Sequence, residues 1–289
     1  MLTEEQVKSI ELRATEIRKD IIEMLLVAGS GHPAGALGMA DVLATLYFSE
    51  ILNWDPDDPW KIGRDVVILS NGHICPGWYA TLAHTGAFSH QELISLRKMG
   101  SRLQGHPQYR SLPGVENSGG PLGQGLSQAI GQAIAAKMDA SAGSAQARRR
   151  IYCLMSDGEM QEGQTWEGLM FAGNRNLNNL TAIIDRNNIQ ISGFTEEIMA
   201  LEPLTDKLKA FNWSVIEVDG HNITEIYNAL HKAHSIFENP TVIIAHTIPG
   251  KGVEIMEGDY QWHGMPPDAK QGAEAIRQLR TLWGKITTE

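Results

Sequence analysis

At 289 residues, 42% hydrophobic and 20% charged, the chain has the length and apolar content for a sizeable buried core and too little charge for disorder. Lys and Arg number 24 against 34 Asp and Glu, and the net charge of −10 excludes nucleic-acid binding through bulk positive charge. Cys75 and Cys153 lie far apart in apolar stretches, which excludes a disulfide framework or a CxxC zinc site and points to a reducing compartment. Met1-Leu2-Thr3-Glu4-Glu5 is acidic where a targeting segment is basic and then apolar, and no apolar run approaches the roughly 18 residues of a membrane span. The expectation is a cytoplasmic protein with no membrane contact.

Thr3 and Gln6 read as a capping box, and Val7, Ile10, Ala14, Ile17, Ile21, Met24 and Leu25 recur at helical spacing until Gly29. A second helical pattern runs from about Met39 to Ile51, and Asp55-Pro56-Asp57-Asp58-Pro59 then forces a turn. Val66 to Leu69 is short, β-branched and flanked by polar residues, the signature of a buried strand, and similar runs return at 151–155, 181–184, 214–218 and 241–245. Helix-length sequence separates these runs, so the spacing predicts an α/β fold with a parallel β-sheet flanked by helices. A last helical pattern spans Ala275 to Trp283, and with no repeat or linker the whole of 1–289 reads as a single domain.

Right-handed crossovers bring the strand ends that precede each helix to one edge of such a sheet, where ligands of open α/β folds sit. The segments that follow the strands are polar: Ser70-Asn71-Gly72-His73, Ser156-Asp157-Gly158-Glu159, Asp185-Arg186-Asn187-Asn188, Asp219-Gly220-His221 and His246-Thr247-Ile248-Pro249-Gly250. The aperiodic stretch from about Gly100 to Gly125 is of a length that is usually functional. Asp157 and Asn187 follow successive strands with one crossover helix between them, which brings both side chains to the same edge. A carboxylate and an amide oxygen, completed by a backbone carbonyl and phosphate oxygens, suit Mg²⁺ or Ca²⁺ and suit zinc poorly. Gly158 lets the backbone approach a phosphate closely. Asp-Gly alone is common in turns, and it is the pairing with Asn187-Asn188 that turns it into a candidate cation site.

Ser156-Asp157-Gly158 through Asn187-Asn188 resembles the diphosphate-binding motif of thiamine diphosphate enzymes, and the family is transketolase-like. Ser30-Gly31-His32-Pro33, Ser70-Asn71-Gly72-His73, Gly105-His106-Pro107, Gly119 to Gly125 and Trp262-His263-Gly264 agree in the family order over nearly the whole chain. The resemblance implies that Asp157, Asn187 and the carbonyl of Ile189 hold the cation, Mg²⁺ with Ca²⁺ as a substitute, while Gly158 and His73 contact the diphosphate of thiamine diphosphate. It further implies that Leu122 faces the thiamine, that the Gly120 carbonyl meets the aminopyrimidine, and that Glu162 relays protons where two cofactor sites meet. His32, His106 and His263 would line the substrate channel, His263 also touching the cofactor. Imidazoles that exchange protons near neutral pH without a permanent charge suit ketol transfer, in which protons move on and off carbonyl and hydroxyl oxygens.

His84, His90, His231 and His234 lie in polar, helix-like surroundings and read as ordinary structural residues, and His221 and His246 stay open. The small residues Gly123, Gly125, Ala129, Gly131 and Ala133 read as close helix packing, and Arg148-Arg149-Arg150 as a solvated charge run at the edge opposite the cation motif. Three positions depart from the family pattern: Ser156 and Ala34 stand in place of glycines, and Pro249 in place of a lysine that many relatives carry near the diphosphate, with Lys251 two residues on. Family members are more than twice as long, so the chain resembles the N-terminal subunit of a split transketolase. A separately encoded partner with the pyrimidine-binding and C-terminal domains, in an α2β2 heterotetramer acting on sugar phosphates, is then expected. Two alternatives share parts of this pattern: the α-subunit of a 2-oxo-acid dehydrogenase, and a non-catalytic regulatory subunit with the same fold. Metal-dependent hydrolysis is disfavoured because HExxH-type pairs are absent.

Overall fold

The computed structural model describes residues 1–141 and 149–288. Helix α1 (Glu4–Ala28) opens with the expected capping box, Thr3 Oγ1 accepting from the Gln6 amide at 3.2 Å and Gln6 Oε1 from the Thr3 amide at 2.9 Å. It closes on Gly29, whose left-handed φ of 64° a side chain would disfavour. The single helix expected over 39–51 is instead two, α2 (Pro33–Gly38) and α3 (Ala40–Phe48), broken at Met39. Every residue of α2 is buried, so it has no polar face and no amphipathic period by which to be read. Beyond α3, Glu50 takes a φ of 63° and the helix cannot continue through it.

Next come β1 (Val66–Leu69), α4 (Cys75–His84), α5 (Gln124–Ser141), β2 (Ile151–Ser156), α6 (Gly163–Asn174) and β3 (Leu180–Arg186). A two-residue hairpin, β4 (Ile189–Gln190) with β5 (Gly193–Phe194), leads into α7 (Thr195–Ile198) and α8 (Leu204–Ala210). The chain finishes with β6 (Ser214–Asp219), α9 (Ile223–His234), β7 (Thr241–His246) and α10 (Ala269–Thr288), the last packing along α1. All five long strands are parallel, in the order β1-β2-β3-β7-β6.

Strand residues alternate between two cores. Val67, Leu69, Tyr152, Leu154, Ile183 and Ile243 face a layer built from α1 to α4, α9 and α10. Val66, Ile68, Cys153, Met155, Ala182 and Ile244 face α5, α6 and α8. Covering on both faces is why these strands read as continuous apolar runs. The step from β6 back to β7 reverses the direction in which the sheet grows, and a right-handed crossover then places α9 on the face opposite α5, α6 and α8. The chain therefore leaves the neighbouring strands β3 and β7 toward opposite faces, and a crevice opens at their C-terminal ends. At the other edge, the Arg150 amide donates to Asp65 Oδ1 at 2.7 Å and Arg149 lies 3.8 Å from Asp139, in keeping with a charge run away from that crevice. Arg148, the first arginine of that run, lies outside the described residues. Among the described residues no helix is long and apolar enough to cross a membrane.

Candidate active site

Asp157 ends β2 at the crevice, fully buried, and its carboxylate is held from three directions. Oδ1 accepts from the Gly158 amide at 2.7 Å, while Oδ2 accepts from the Asn188 amide at 2.6 Å and from Arg186 Nη1 at 3.1 Å. Asn188 presents that amide because its backbone is left-handed, φ 64°, a conformation asparagine tolerates. One strand over, Asn187 Nδ2 donates to Asp185 Oδ2 at 2.7 Å, which turns its amide oxygen toward the Ile189 amide, 3.0 Å away. A Cβ on Gly158 would sit 3.1 Å from the Gln190 Cβ and 3.7 Å from the Ile189 carbonyl oxygen, so the absence of a side chain lets the β4 hairpin close over the end of β2. The Asp157 carboxylate, the Asn187 amide oxygen and the Ile189 carbonyl make an all-oxygen donor set of the kind that suits Mg²⁺ or Ca²⁺.

Burial pushes the Asp157 carboxyl up to about 6 in spite of the Arg186 guanidinium. Burial pushes Asp185 up to about 7, with the neighbouring Asp157 charge adding to it and the Thr247 hydroxyl opposing it. Two carboxyls this costly to ionise are a place where a divalent cation supplies the missing positive charge.

Four histidines meet beside this cradle. His32 caps α2, His73 sits in a 3-10 turn after β1, His106 lies in the 100–123 segment, and His263 ends a 3-10 turn before α10. The His32 ring centroid is 5.3 Å from that of His73, 6.2 Å from His106 and 5.7 Å from His263, and His73 and His263 are 5.0 Å apart. Burial, then His263, Arg97 and His106, hold His32 down to about 4. Burial also lowers His73 strongly, lowers His106 with help from Arg97, and lowers His263. At neutral pH the cluster is a set of uncharged imidazoles, each able to donate and accept one hydrogen bond. His32 Nδ1 and Asn71 Oδ1 are buried without a protein partner, two polar atoms facing a ligand's place rather than the protein.

Because the unfolded chain binds a proton at His32 near pH 6.5 and the folded chain only near 4, this residue costs stability as pH falls through that window. The wild type is therefore expected to lose about 1 kcal/mol more than His32→Asn between pH 7 and 4.5, after a discount for partial solvent screening. Urea unfolding at the two pH values measures this, and parallel losses in the two proteins would remove the assignment of a neutral, desolvated His32.

The loop of residues 119–125 is pinned by Glu159, which the sequence did not single out. Its fully buried carboxylate accepts from the Gly123 amide at 2.6 Å, the Ser156 amide at 3.4 Å and the Ser70 hydroxyl, tying this loop to the ends of β1 and β2. A Cβ on Gly125 would lie 2.4 Å from Ser70 Cβ, so the close approach at the start of α5 requires glycine. Gly120, at φ 133°, stacks beside His106, and Leu122 and Glu162 are exposed at the same edge. Arg186 also eluded sequence reading: besides Asp157 it reaches Thr195 Oγ1 at 3.0 Å, Glu196 at 2.8 Å and Glu202 at 2.9 Å, linking the cradle to α7. Of the two undecided histidines, His221 is structural, with Nδ1 2.7 Å from Asp41 Oδ2 and Nε2 accepting from the Ile248 amide at 2.8 Å. His246 pairs with Glu217 at 2.9 Å on the surface. His234 meets the Tyr152 hydroxyl at 2.6 Å and His231 stacks on Tyr227, both away from the cradle.

A doubly covered parallel sheet with an oxygen cradle and neutral imidazoles at its switch point defines an α/β cofactor-binding domain. The family model described as transketolase, thiamine diphosphate binding domain, matches residues 10–288, and the chain belongs to that family. It is 40% identical over 284 residues to an apulose-4-phosphate transketolase subunit from Phocaeicola vulgatus, covering 98% of each chain. It is likewise 40% identical to the 6-deoxy-6-sulfo-D-fructose transketolase subunit SqwG of a Clostridium species, covering 96% of this chain and 98% of that one. Among solved structures, the transketolase of Pichia stipitis in complex with sedoheptulose 7-phosphate superposes with a TM-score of 0.89 at 32% identity. That alignment takes in 96% of this chain but only 41% of the Pichia chain, whereas the two subunit relatives match it nearly end to end.

Proposed function

We propose that this chain is the diphosphate-binding subunit of a two-chain transketolase that transfers a two-carbon ketol unit from an anionic ketose to an aldose. The observation that carries the reading is the convergence, at one sheet edge, of the Asp157, Asn187 and Ile189 oxygen donors with the neutral rings of His32, His73, His106 and His263. Asp157, Asn187 and the Ile189 carbonyl hold Mg²⁺, and Gly158 and His73 meet the diphosphate. Gly120 and Leu122 lie against the thiamine, and Glu162 relays protons at the contact between cofactor sites. Thiamine diphosphate, when bound, supplies the nucleophilic carbon and the electron sink of the reaction. The protein's share is to position sugar hydroxyl and carbonyl oxygens and to move protons at them. An imidazole nitrogen takes the proton from the donor hydroxyl as its carbon–carbon bond breaks, and a second returns one to the acceptor carbonyl oxygen as the new bond forms. Burial keeps the four rings neutral, so each is ready to accept a proton or to donate one.

The relatives that share the chain's length carry the names of lettered transketolase subunits, which supports a separately encoded partner and an α2β2 assembly. The loops at the site edge leave Leu122, Ile191, Phe194, Ile198, Met199 and Ile248 exposed, an apolar rim suited to such a partner. Two buried free thiols, Cys75 and Cys153, fit a cytoplasmic setting. The substrate is a ketose carrying phosphate or another terminal anion, in line with the phosphorylated and sulfonated sugars in the relatives' names.

The test is to purify the tagged chain from its native host with thiamine diphosphate and Mg²⁺ and to weigh the intact complex. An equimolar second chain of roughly 300 residues, enough for two ordinary domains, with two-carbon transfer from a ketose phosphate, is the expected result. A chain that emerges alone, without cofactor or transfer, overturns the proposal.

A further inference from the structure

Away from the cofactor cradle, three side chains from three elements converge on one point. Asp20 lies on α1, His84 is the last residue of α4, and His90 opens the 3-10 turn of residues 90–95. Asp20 Oδ2 lies 2.7 Å from His84 Nε2 and 2.8 Å from His90 Nε2, and the three ligating atoms fall within 4.8 Å of one another. They are the sole such group of three His, Cys, Asp or Glu side chains among the described residues. The Asp20 carboxylate is buried, its side chain 6% exposed, whereas His90 is 54% exposed, so the cluster has a fixed base and an open side.

We propose that Asp20, His84 and His90 form a binding site for a borderline divalent cation, Zn²⁺ above all, separate from the cofactor's cation. Two imidazoles and one carboxylate leave one tetrahedral position for water, the ligand set and openness that zinc accepts and that Mg²⁺ or Ca²⁺ does not favour. The two cation sites thus differ in kind: all oxygen at Asp157, mostly nitrogen here. Around a tetrahedral zinc with bonds of about 2.0 Å, ligand atoms stand about 3.3 Å apart. Each contact to Asp20 therefore opens by about half an ångström, a movement the half-exposed His90 turn can supply.

Arg13 sets the condition for filling the site. Its Nη1 lies 2.9 Å from His84 Nδ1, and since a guanidinium has no acceptor, Nδ1 must accept and Nε2 must carry the ring proton that is donated to Asp20. A cation at Nε2 requires that proton to move to Nδ1. Arg13 then withdraws while keeping its other contacts, Glu16 at 2.8 Å and the Phe48 ring at 5.2 Å. Glu16 Oε2, 3.9 Å from Nδ1, becomes the acceptor for the relocated proton, giving the carboxylate–histidine–metal order of many zinc sites. The 90–95 turn leads directly into the segment that bears Arg97 and His106, so the cation staples the base of that segment to α1 and α4.

The experiment uses the full chain, with its partner if one co-purifies, stripped of metal and then saturated with Mg²⁺ and thiamine diphosphate so that the cofactor cradle is filled. Titration with Zn²⁺, and with Co²⁺ as an optical probe, is expected to give one equivalent per chain, tetrahedral Co²⁺ absorption, and a melting rise of about 5 °C at a hundredfold excess over Kd. His90→Ala, at a half-exposed position, and Asp20→Asn are expected to weaken binding about tenfold or more, while His106→Ala leaves it unchanged. Arg13→Met tightens it by freeing Nδ1. No stoichiometric uptake, uptake that His90→Ala leaves intact, or loss in His106→Ala would overturn the proposal. Weaker binding in Arg13→Met would overturn the account of the ring proton.

Discussion

Asp157→Asn is expected to bind thiamine diphosphate at least about a hundredfold more weakly in saturating Mg²⁺, and to lose the Mg²⁺ dependence of binding, while still unfolding cooperatively. A ligand's charge is removed with almost no change in volume, and a cation held by oxygens alone depends on that charge more than on any one hydrogen bond. Asparagine is the better substitution because of Arg186. Alanine would leave a void beside a guanidinium whose side chain is only 4% exposed, and depriving a buried ion pair of one member costs about 3–5 kcal/mol. With asparagine, Arg186 keeps Thr195, Glu196 and Glu202, and an amide oxygen still accepts from the Asn188 or Gly158 amide. Calorimetric titration of cofactor with and without Mg²⁺ measures the effect. Unchanged affinity would sink the cation assignment, and through it the reading of the whole edge.

His263→Asn should have the second largest effect, and of another kind. In the complex with its partner, turnover is expected to fall about a hundredfold, the lower range for a positioned proton carrier, while cofactor affinity changes by no more than about threefold. The reason is position: the His263 ring lies 5.0 Å from His73 and 5.7 Å from His32, on the far side of the histidine cluster from Asp157, so it closes over the place of the reacting sugar. Asparagine keeps a hydrogen-bonding group but cannot take up a proton near neutral pH. Steady-state kinetics against cofactor titration separates the two effects. A variant that loses affinity and keeps its turnover would reassign His263 to the cofactor alone.

How far the sequence could be read depended on the range of the signal. The capping box at Thr3, the apolar runs that became β1, β2, β3, β6 and β7, and the polar tripeptides after them are local, and the parallel sheet follows from their alternation with helices. Asp157 and Asn187 could be placed together because one crossover separates them and its handedness is fixed. The histidines at 32, 73, 106 and 263 have no such local logic. They were legible through resemblance, and their common locus depends on turns and loops scattered over 231 positions (263 − 32).

The residues that escaped reading are those whose meaning is a distant partner. Glu159 looks like any acid in a turn until Ser70, 89 positions away, and Gly123 close on it. Arg186 after a strand reads as a solvated charge until β2 brings Asp157 beside it. His84 and His90 read as ordinary surface residues, and it is the packing of α1 against α4 and the 90–95 turn that aims both at Asp20.

By itself, then, the sequence determined the element types, the parallel sheet, the edge on which chemistry occurs and the oxygen donors for a cation, because each follows from hydrophobic period, turn chemistry or a single crossover. Only the tertiary structure decided the rest: that four imidazoles are crowded and desolvated enough to stay neutral, that Arg186 and Glu159 brace the cradle and its loop, and that α2 has no exposed face. These are consequences of burial and of contacts between residues tens to hundreds of positions apart, and neither burial nor such contacts exist until the sheet has closed around them.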